Sequence, residues 1–450
     1  MSIDGNNPSI QSKAKFMQSS RPLNLKIKSF LRSRTFPKTI FIIVLLFHFL
    51  VYWFLGVFVY VETNLQDLIA YKNIFFAFDF KQGIFDLFDI FRTNPALLYA
   101  TSTSFAYNSF LELPGFMFYV SFWAILSRQW LVLGTYQSVI VYDFVMFLWN
   151  LGDCYLIYKI MNSEKIKSIV GNRFLGNPFI LMSLYIGTSM AYFDYYFAQH
   201  NALAGFLLLL GVYYLVNGKE HFTYFIWGIG MYFKAMLLIF VIIFILHGSL
   251  KKFAKNGIFF IISQVPNFIL FAMYPPLISG YINNNLNRMT GSLLLLKPVN
   301  IAQFLLMFFN ISFSLSEPII FSCLLPFFIY ILIECKKSMN ILDKFMFVTL
   351  LSINLIPGEP DHTLIFLGIF LGWIATKNPR LHGSVRYLKI TLAIPFLSGL
   401  FWLIFPYFAI IYFGSLIWMG LLILFSKETL PINVVPPSKI AGGESEPIVT

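Results

Sequence analysis

Residues 39–60 read TIFIIVLLFHFLVYWFLGVFVY, one apolar run without a charged side chain. At ~20 residues per crossing, the run is long enough to span a bilayer as a helix. It exceeds the core of a secretory leader and no small-residue cleavage pattern follows it. The reading is a retained first span, with the basic residues 1–38 as a cytoplasmic tail. Composition extends that reading to the rest of the chain: 58% of the 450 residues are hydrophobic, 19% are aromatic, only 12% are charged, and mean hydropathy is +0.74. A soluble domain has no interior large enough for so much apolar surface. The expected fold is all-α, a polytopic transmembrane bundle.

The formal net charge of +12 raises the question of nucleic acid, and the placement of the charges answers it. Lysine and arginine gather at 13–38, 159–173, 251–255, 336–344 and 377–389. Each group lies between apolar runs, as the positive-inside rule asks of cytoplasmic loops. The basicity is therefore read as topology, with no nucleic-acid partner. Cys154 and Cys323 fall inside apolar runs and Cys335 at the edge of one, which makes neither a disulfide framework nor a metal-binding spacing. Residues 1–20 are rich in Ser, Asn and Gln, and 427–450 in Pro and Gly; both ends read as disordered tails, the second also cytoplasmic. Between them, 39–426 form the membrane domain.

After the first span comes an outer loop, 61–136, that carries Asp67, Asp79, Asp86, Asp89 and Glu112 in a chain otherwise poor in acids. Asp79, Gln82, Asp86 and Asp89 are spaced three, four and three apart, which predicts a helix over 74–92 lying in the interface with one polar face. Residues 113–126 are too short for a crossing and read as a re-entrant or surface helix. Residues 137–160 form the next span. There Asp143, Asn150 and Asp153 share a face, as costly groups do when they point into a bundle. The chain then goes out over 174–192, turns, and returns by 216. Two shorter runs follow, 222–233 and 235–247, with Lys234 at their junction, and Lys251, Lys252 and Lys255 mark the cytoplasm. Residues 258–274 go out, 275–316 form a second outer loop, and 357–362 make a tight outer turn. The sum is about ten to twelve spans. No internal repeat is visible, which weighs against an inverted-repeat transporter.

Under this topology Asp67, Gln199, His200, Asn201, Lys234, Arg288, Asp361 and His362 come to one side from distant parts of the chain. A membrane-surface active site requires such convergence.

Several of these residues carry a resemblance to a known family. In the first loop it lies in Asp67-Leu68-Ile69-Ala70-Tyr71, the Gly83 region and Asn94-Pro95. In the middle of the chain it lies in Asn177-Pro178, Ala198-Gln199-His200-Asn201, Asn217-Gly218-Lys219, and Gly228-Ile229-Gly230-Met231-Tyr232-Phe233-Lys234. The pattern resembles the GT-C superfamily of multi-pass glycosyltransferases, in particular the catalytic subunit of GPI mannosyltransferase I and prokaryotic polyprenol-phosphate-mannose-dependent enzymes. It covers residues 61–250; beyond them only topology and the His362 turn are similar.

The resemblance implies a hexosyl transfer, of mannose by preference, from a polyprenyl- or dolichyl-phosphate sugar to a lipid-linked or glycan acceptor on the extracytoplasmic face. The membrane would be endoplasmic reticulum or prokaryotic plasma membrane, with a small membrane subunit as a further partner. Asp67 would be the base that takes the acceptor's proton. Lys234 would meet the lipid phosphate, with help from Arg288. Gln199, His200, Asn201, Tyr71 and His362 would line the donor site. The relatives often have an Asp-x-Asp in the first loop. Here Leu68 and Ile69 follow Asp67, so the sequence does not support a divalent metal as cofactor. The same departure fits a second reading, a non-catalytic glycolipid-binding subunit like the U-type subunit of GPI transamidase, which residues 387–425 also resemble. A transporter is the third.

Plainer readings stand beside these. Asp67 also fits a solvated interfacial acid, and Asp79, Asp86 and Asp89 a solvated helix face. Lys234 also fits a snorkelling lysine, and His362 a turn residue beside two prolines. Asp143 and Asp153 fit an interhelical hydrogen-bond network better than a reaction. Asn310-Ile311-Ser312 matches a glycosylation sequon but lies in an apolar run.

Overall fold

The computed structural model describes residues 35–64, 81–99, 113–133, 135–170, 177–187, 200–233 and 250–289. Among the described residues every regular element is helical and no strand occurs. Helix α1 is Phe36–Asn64. A π-helical turn, Lys81–Asp86, runs into α2, Leu87–Thr93. Helix α3, Phe116–Ile125, continues as a second π-helical turn, Leu126–Trp130. Then come α4, Thr135–Met161, and the short α5, Glu164–Val170. The order continues with α6, Pro178–Ile186; α7, Asn201–Val216; α8, Glu220–Gly230; α9, Leu250–Met273; and α10, Pro276–Met289.

Local chemistry explains several boundaries. Asn177 caps α6 by accepting the Phe179 N–H at 3.0 Å, and Pro178, which has no N–H to satisfy, takes the first helical position. Helix α7 stops where Gly218 takes φ +76°, a conformation that side chains disfavour; the N–H of Lys219 then closes on the Tyr214 carbonyl at 2.8 Å. Glu220 opens α8 beside the positive end of its dipole.

Contacts give the direction of each helix. Helix α1 runs antiparallel to α4: Phe41 meets Phe179 at the end where α6 starts, His48 stacks on Phe147 at 5.7 Å, and the Tyr52 hydroxyl donates to the Ile140 carbonyl. Helices α4 and α6 are antiparallel, with Tyr158 beside Phe179 and Asp153 beside Tyr185. Helix α7 runs parallel to α4, since Tyr119 bridges Tyr142 to His200 while Trp149 packs on Phe206 at 4.7 Å. Helix α8 turns back along α7: Thr223 Oγ1 donates to the Gly211 carbonyl and Trp227 Nε1 to the Leu208 carbonyl. Helix α9 is parallel to α8, pairing Lys252 and Asn256 with Glu220 and Gln264 with Gly228. Phe233 and Leu250 therefore lie at opposite ends of that pair, as a return run over 235–247 would require; those residues lie outside the described set.

The two ends differ in charge. Exposed Lys38, Lys159, Lys165, Lys167, Lys219 and Lys252 share one end. Tyr142, His200, Phe233 and Asn267 face the other. Two stretches, Gln137–Met161 and Ala254–Met273, are long and apolar enough to cross a membrane. The second exposes Ile258, Ile261, Ile262, Val265, Phe268 and Ile269 on its outer side.

Three expectations need adjustment. The loop predicted from residue 275 onward is helical through Met289: Leu277, Ile278, Tyr281 and Ile282 recur at helical spacing, and Tyr281 packs edge-on against Tyr99 at 5.8 Å. The stretch Asn283-Asn284-Asn285 and Arg288 thus belong to a helix. Lys251, Lys252 and Lys255 sit in the first turns of α9 rather than in a loop ahead of it. The interfacial helix predicted over 74–92 is helical from Lys81 to Thr93, with a widened first part at Gly83; residues 74–80 lie outside the described residues.

Candidate functional site

Helix α7 begins at the turn His200-Asn201, where His200 takes φ −97° and ψ 16° in the N-cap position. Its ring is enclosed by Phe116 at 4.8 Å, Phe233 at 5.8 Å and Tyr119 at 6.2 Å between centroids. Nε2 lies 3.3 Å from the Phe233 carbonyl oxygen. A carbonyl only accepts, so Nε2 carries the proton in this pair and a neutral ring presents Nδ1 as its acceptor. Asn201, the first residue of the helix, is buried. Two sequence-predicted residues are thus fixed at the end opposite the lysines, one of them against the residue that precedes Lys234.

A polar seam not anticipated from the sequence holds the same region. Asn267 Oδ1 accepts the Gly115 N–H at 2.6 Å, and Asn267 Nδ2 donates to Gln264 Oε1 at 2.8 Å. Gln264 Nε2 donates in turn to the Gly228 carbonyl at 2.7 Å. The Tyr232 hydroxyl donates to the Ser263 carbonyl. Asn267 and Gln264 are buried, so each bond replaces one that water would otherwise make. Helix α8 approaches closely enough that a Cβ on Gly228 would overlap the Ser263 side chain. Tyr232 and Phe233, the two residues before Lys234, are therefore each tied to a different neighbour. The sequence signal was present: Ser263, Gln264 and Asn267 interrupt an apolar run at helical spacing.

The shared face of α4 is buried as predicted, with Asp143 at 5% exposure and Asn150 and Asp153 at 0%. Asp153 Oδ2 accepts the Tyr185 hydroxyl at 2.5 Å, an interhelical bond between α4 and α6. In the first loop, Arg128 reaches Asp89 with one nitrogen on both carboxylate oxygens, at 2.8 and 3.0 Å, and its guanidinium lies 4.2 Å over the Phe85 ring. Partial burial, with the Asp89 carboxylate beside it, lifts Asp86 above the usual carboxylate range against a smaller opposing pull from Arg128.

Asp67, Tyr71, Gln199, Lys234, Asp361 and His362 lie outside the described residues. Arg288 falls in the last turn of α10, where only the backbone belongs to the described set. Among the described residues no three His, Cys, Asp or Glu side chains gather as a metal site would require. No family model, curated protein or solved structure matches the chain.

Proposed function

We propose that the chain is an integral membrane glycosyltransferase of GT-C-like architecture, a multi-pass bundle of about ten to twelve spans. It transfers a hexose, mannose by preference, from a polyprenyl- or dolichyl-phosphate sugar to a lipid-linked or glycan acceptor on the extracytoplasmic face. Asp67 is the base, Lys234 receives the phosphate of the leaving lipid, and Gln199, His200 and Asn201 hold the donor. The observation that carries the reading is the His200 ring on the Phe233 carbonyl at 3.3 Å. It joins two of the separate motifs of the resemblance, one ending at Asn201 and the other at Lys234. Two further features support it. Exposed lysines collect at the opposite end, as a cytoplasmic side would have them. The outer side of α9 is apolar from Ile258 to Ile269, as contact with lipid asks.

The test is transfer from a polyprenyl-phosphate mannose donor in membranes that contain the protein. Asp67→Asn is expected to lower the rate by about 10²–10⁴-fold, the usual worth of a positioned base, while the protein accumulates normally. Full activity in that variant would remove Asp67 from the mechanism. The absence of a second acid after Asp67 favours one other reading, a glycolipid-binding subunit without activity. In that case the parent protein transfers nothing but retains glycolipid through purification.

A further inference from the structure

The hairpin that joins α3 to α4 has an unusual tip. Its first arm packs on one residue of α4, with Trp123 against Tyr142 at 4.9 Å and the Tyr119 and Tyr142 hydroxyls 3.0 Å apart. At the end of the first arm the Leu131 N–H donates to the Leu126 carbonyl and the Leu133 N–H to the Ser127 carbonyl, both at 2.9 Å. That wrap closes a helix with one left-handed residue, a position glycine normally fills. Here it is Val132, at φ +49°. A β-branched residue is strained there, and the strain brings no packing in return: Trp130, Leu131 and Val132 are 69%, 47% and 79% exposed.

We infer that Trp130, Leu131 and Val132 seat the hairpin tip in the lipid interface at the outer end of α4. The inference rests on reading Gln137–Met161 as a membrane-crossing helix, which its length and composition allow. At ~1.5 Å per residue that stretch is ~37 Å long, between the ~30 Å hydrocarbon core and the ~40–45 Å bilayer with headgroups. Its first residue, Gln137, then lies at headgroup depth, and so does the tip just before it. Tryptophan prefers that depth because its ring is apolar and its N–H needs a polar partner. Arg128, held nearby by Asp89, is the kind of cation that accompanies such anchors. Water would leave the three apolar side chains and the strain at Val132 without compensation. A bilayer interface supplies it.

The full chain in phosphatidylcholine nanodiscs provides the test. An environment-sensitive fluorophore is placed at Val132→Cys or Leu148→Cys in a Cys154→Ala, Cys323→Ser, Cys335→Ser background whose melting matches the parent. Lipids carry a spin label near the headgroup or deep in the acyl chain. Val132→Cys is expected to be quenched severalfold more by the shallow label, and Leu148→Cys, mid-helix and exposed, more by the deep one. If Leu148→Cys behaves so while Val132→Cys is unquenched, because water or a protein partner covers it, the tip inference falls and the crossing helix stands. If neither is quenched, both fall. A measurement without labelling uses Trp130→Phe, which should remove part of the tryptophan quenching by shallow brominated lipid; unchanged quenching would also overturn the inference.

Discussion

The two ends of the α8–α9 pair are built differently. Where Gly228 meets Ser263 and Gln264, the helices touch through a glycine, the amide of Gln264 reaches backbone, and Asn267 carries the chain of bonds to Gly115. Where Glu220 faces α9, the links are Lys252 at 3.9 Å and Asn256 at 3.5 Å, and the lysines around them are exposed. The first end is held by short-range, desolvated bonds that admit one geometry. The second is held by a long ion pair to an exposed lysine and a long bond from the buried Asn256, which tolerate more. The proposed transferase would need the first kind of support to hold a phosphate and a sugar in register. Of the described residues that carry the resemblance, His200, Asn201 and 228–233 lie at that end and Asn217-Gly218-Lys219 at the other.

The sharpest way to break this comparison is to put the same small change at both ends. Gly228→Ala drives a methyl into Ser263 and disturbs the Gln264 bond, and is expected to cost about 1–3 kcal/mol by overpacking. Gly257→Ala, on the same helix pair but with open space around its Cβ, is expected to stabilise by about 0.5–1 kcal/mol through helix propensity. Thermal unfolding of the purified protein in one detergent reads both. Equal effects of the same sign would show that the ends do not differ.

A smaller effect belongs to the first loop. Asp86 binds its proton more tightly folded than unfolded, so between the unfolded and folded values the native state holds more protons. Its contribution is favourable below the ordinary carboxylate value and is lost as pH rises through the raised one. Asp86→Asn is expected to flatten the melting temperature across that acidic window and to stabilise above it. The gain is a few tenths of a kcal/mol, discounted for the group's partial exposure. A pH series of melting curves, parent against variant, checks the sign.

Long elements were legible in the sequence and their polar contacts were not. The run predicted over 137–160 appears as Thr135–Met161 because a membrane-length apolar run signals helix whatever its exact ends. Helix α10 escaped because Asn283-Asn284-Asn285 has the composition of a loop, while its stripe from Leu277 to Ile282 covers only two turns. Gln264 and Asn267 carried no reading of their own inside the run over 258–274, since two of the groups they bind, the Gly115 N–H and the Gly228 carbonyl, are backbone and leave no mark on composition. For the candidate site, sequence placed His200 and Lys234 on one side. It had no means of setting the ring against Phe233, which depends on how α3 closes over both. The predictions at Asp67, Tyr71, Gln199, Lys234 and His362 rest on the sequence alone.

The parallel course of α8 and α9 also bears on the order of assembly. The bonds that close the α7–α8 hairpin join residues 12 and 19 apart, Thr223 to Gly211 and Trp227 to Leu208. Those that fasten α8 to α9 join residues 36 apart, Gln264 to Gly228 and Asn256 to Glu220. Local contacts cost less loop entropy and form first. As the chain emerges, the hairpin can close while the Gly228 carbonyl still waits for Gln264. The end bearing the candidate site is then the last part of this region to become rigid, and a chain stalled before Gln264 has no means of completing it.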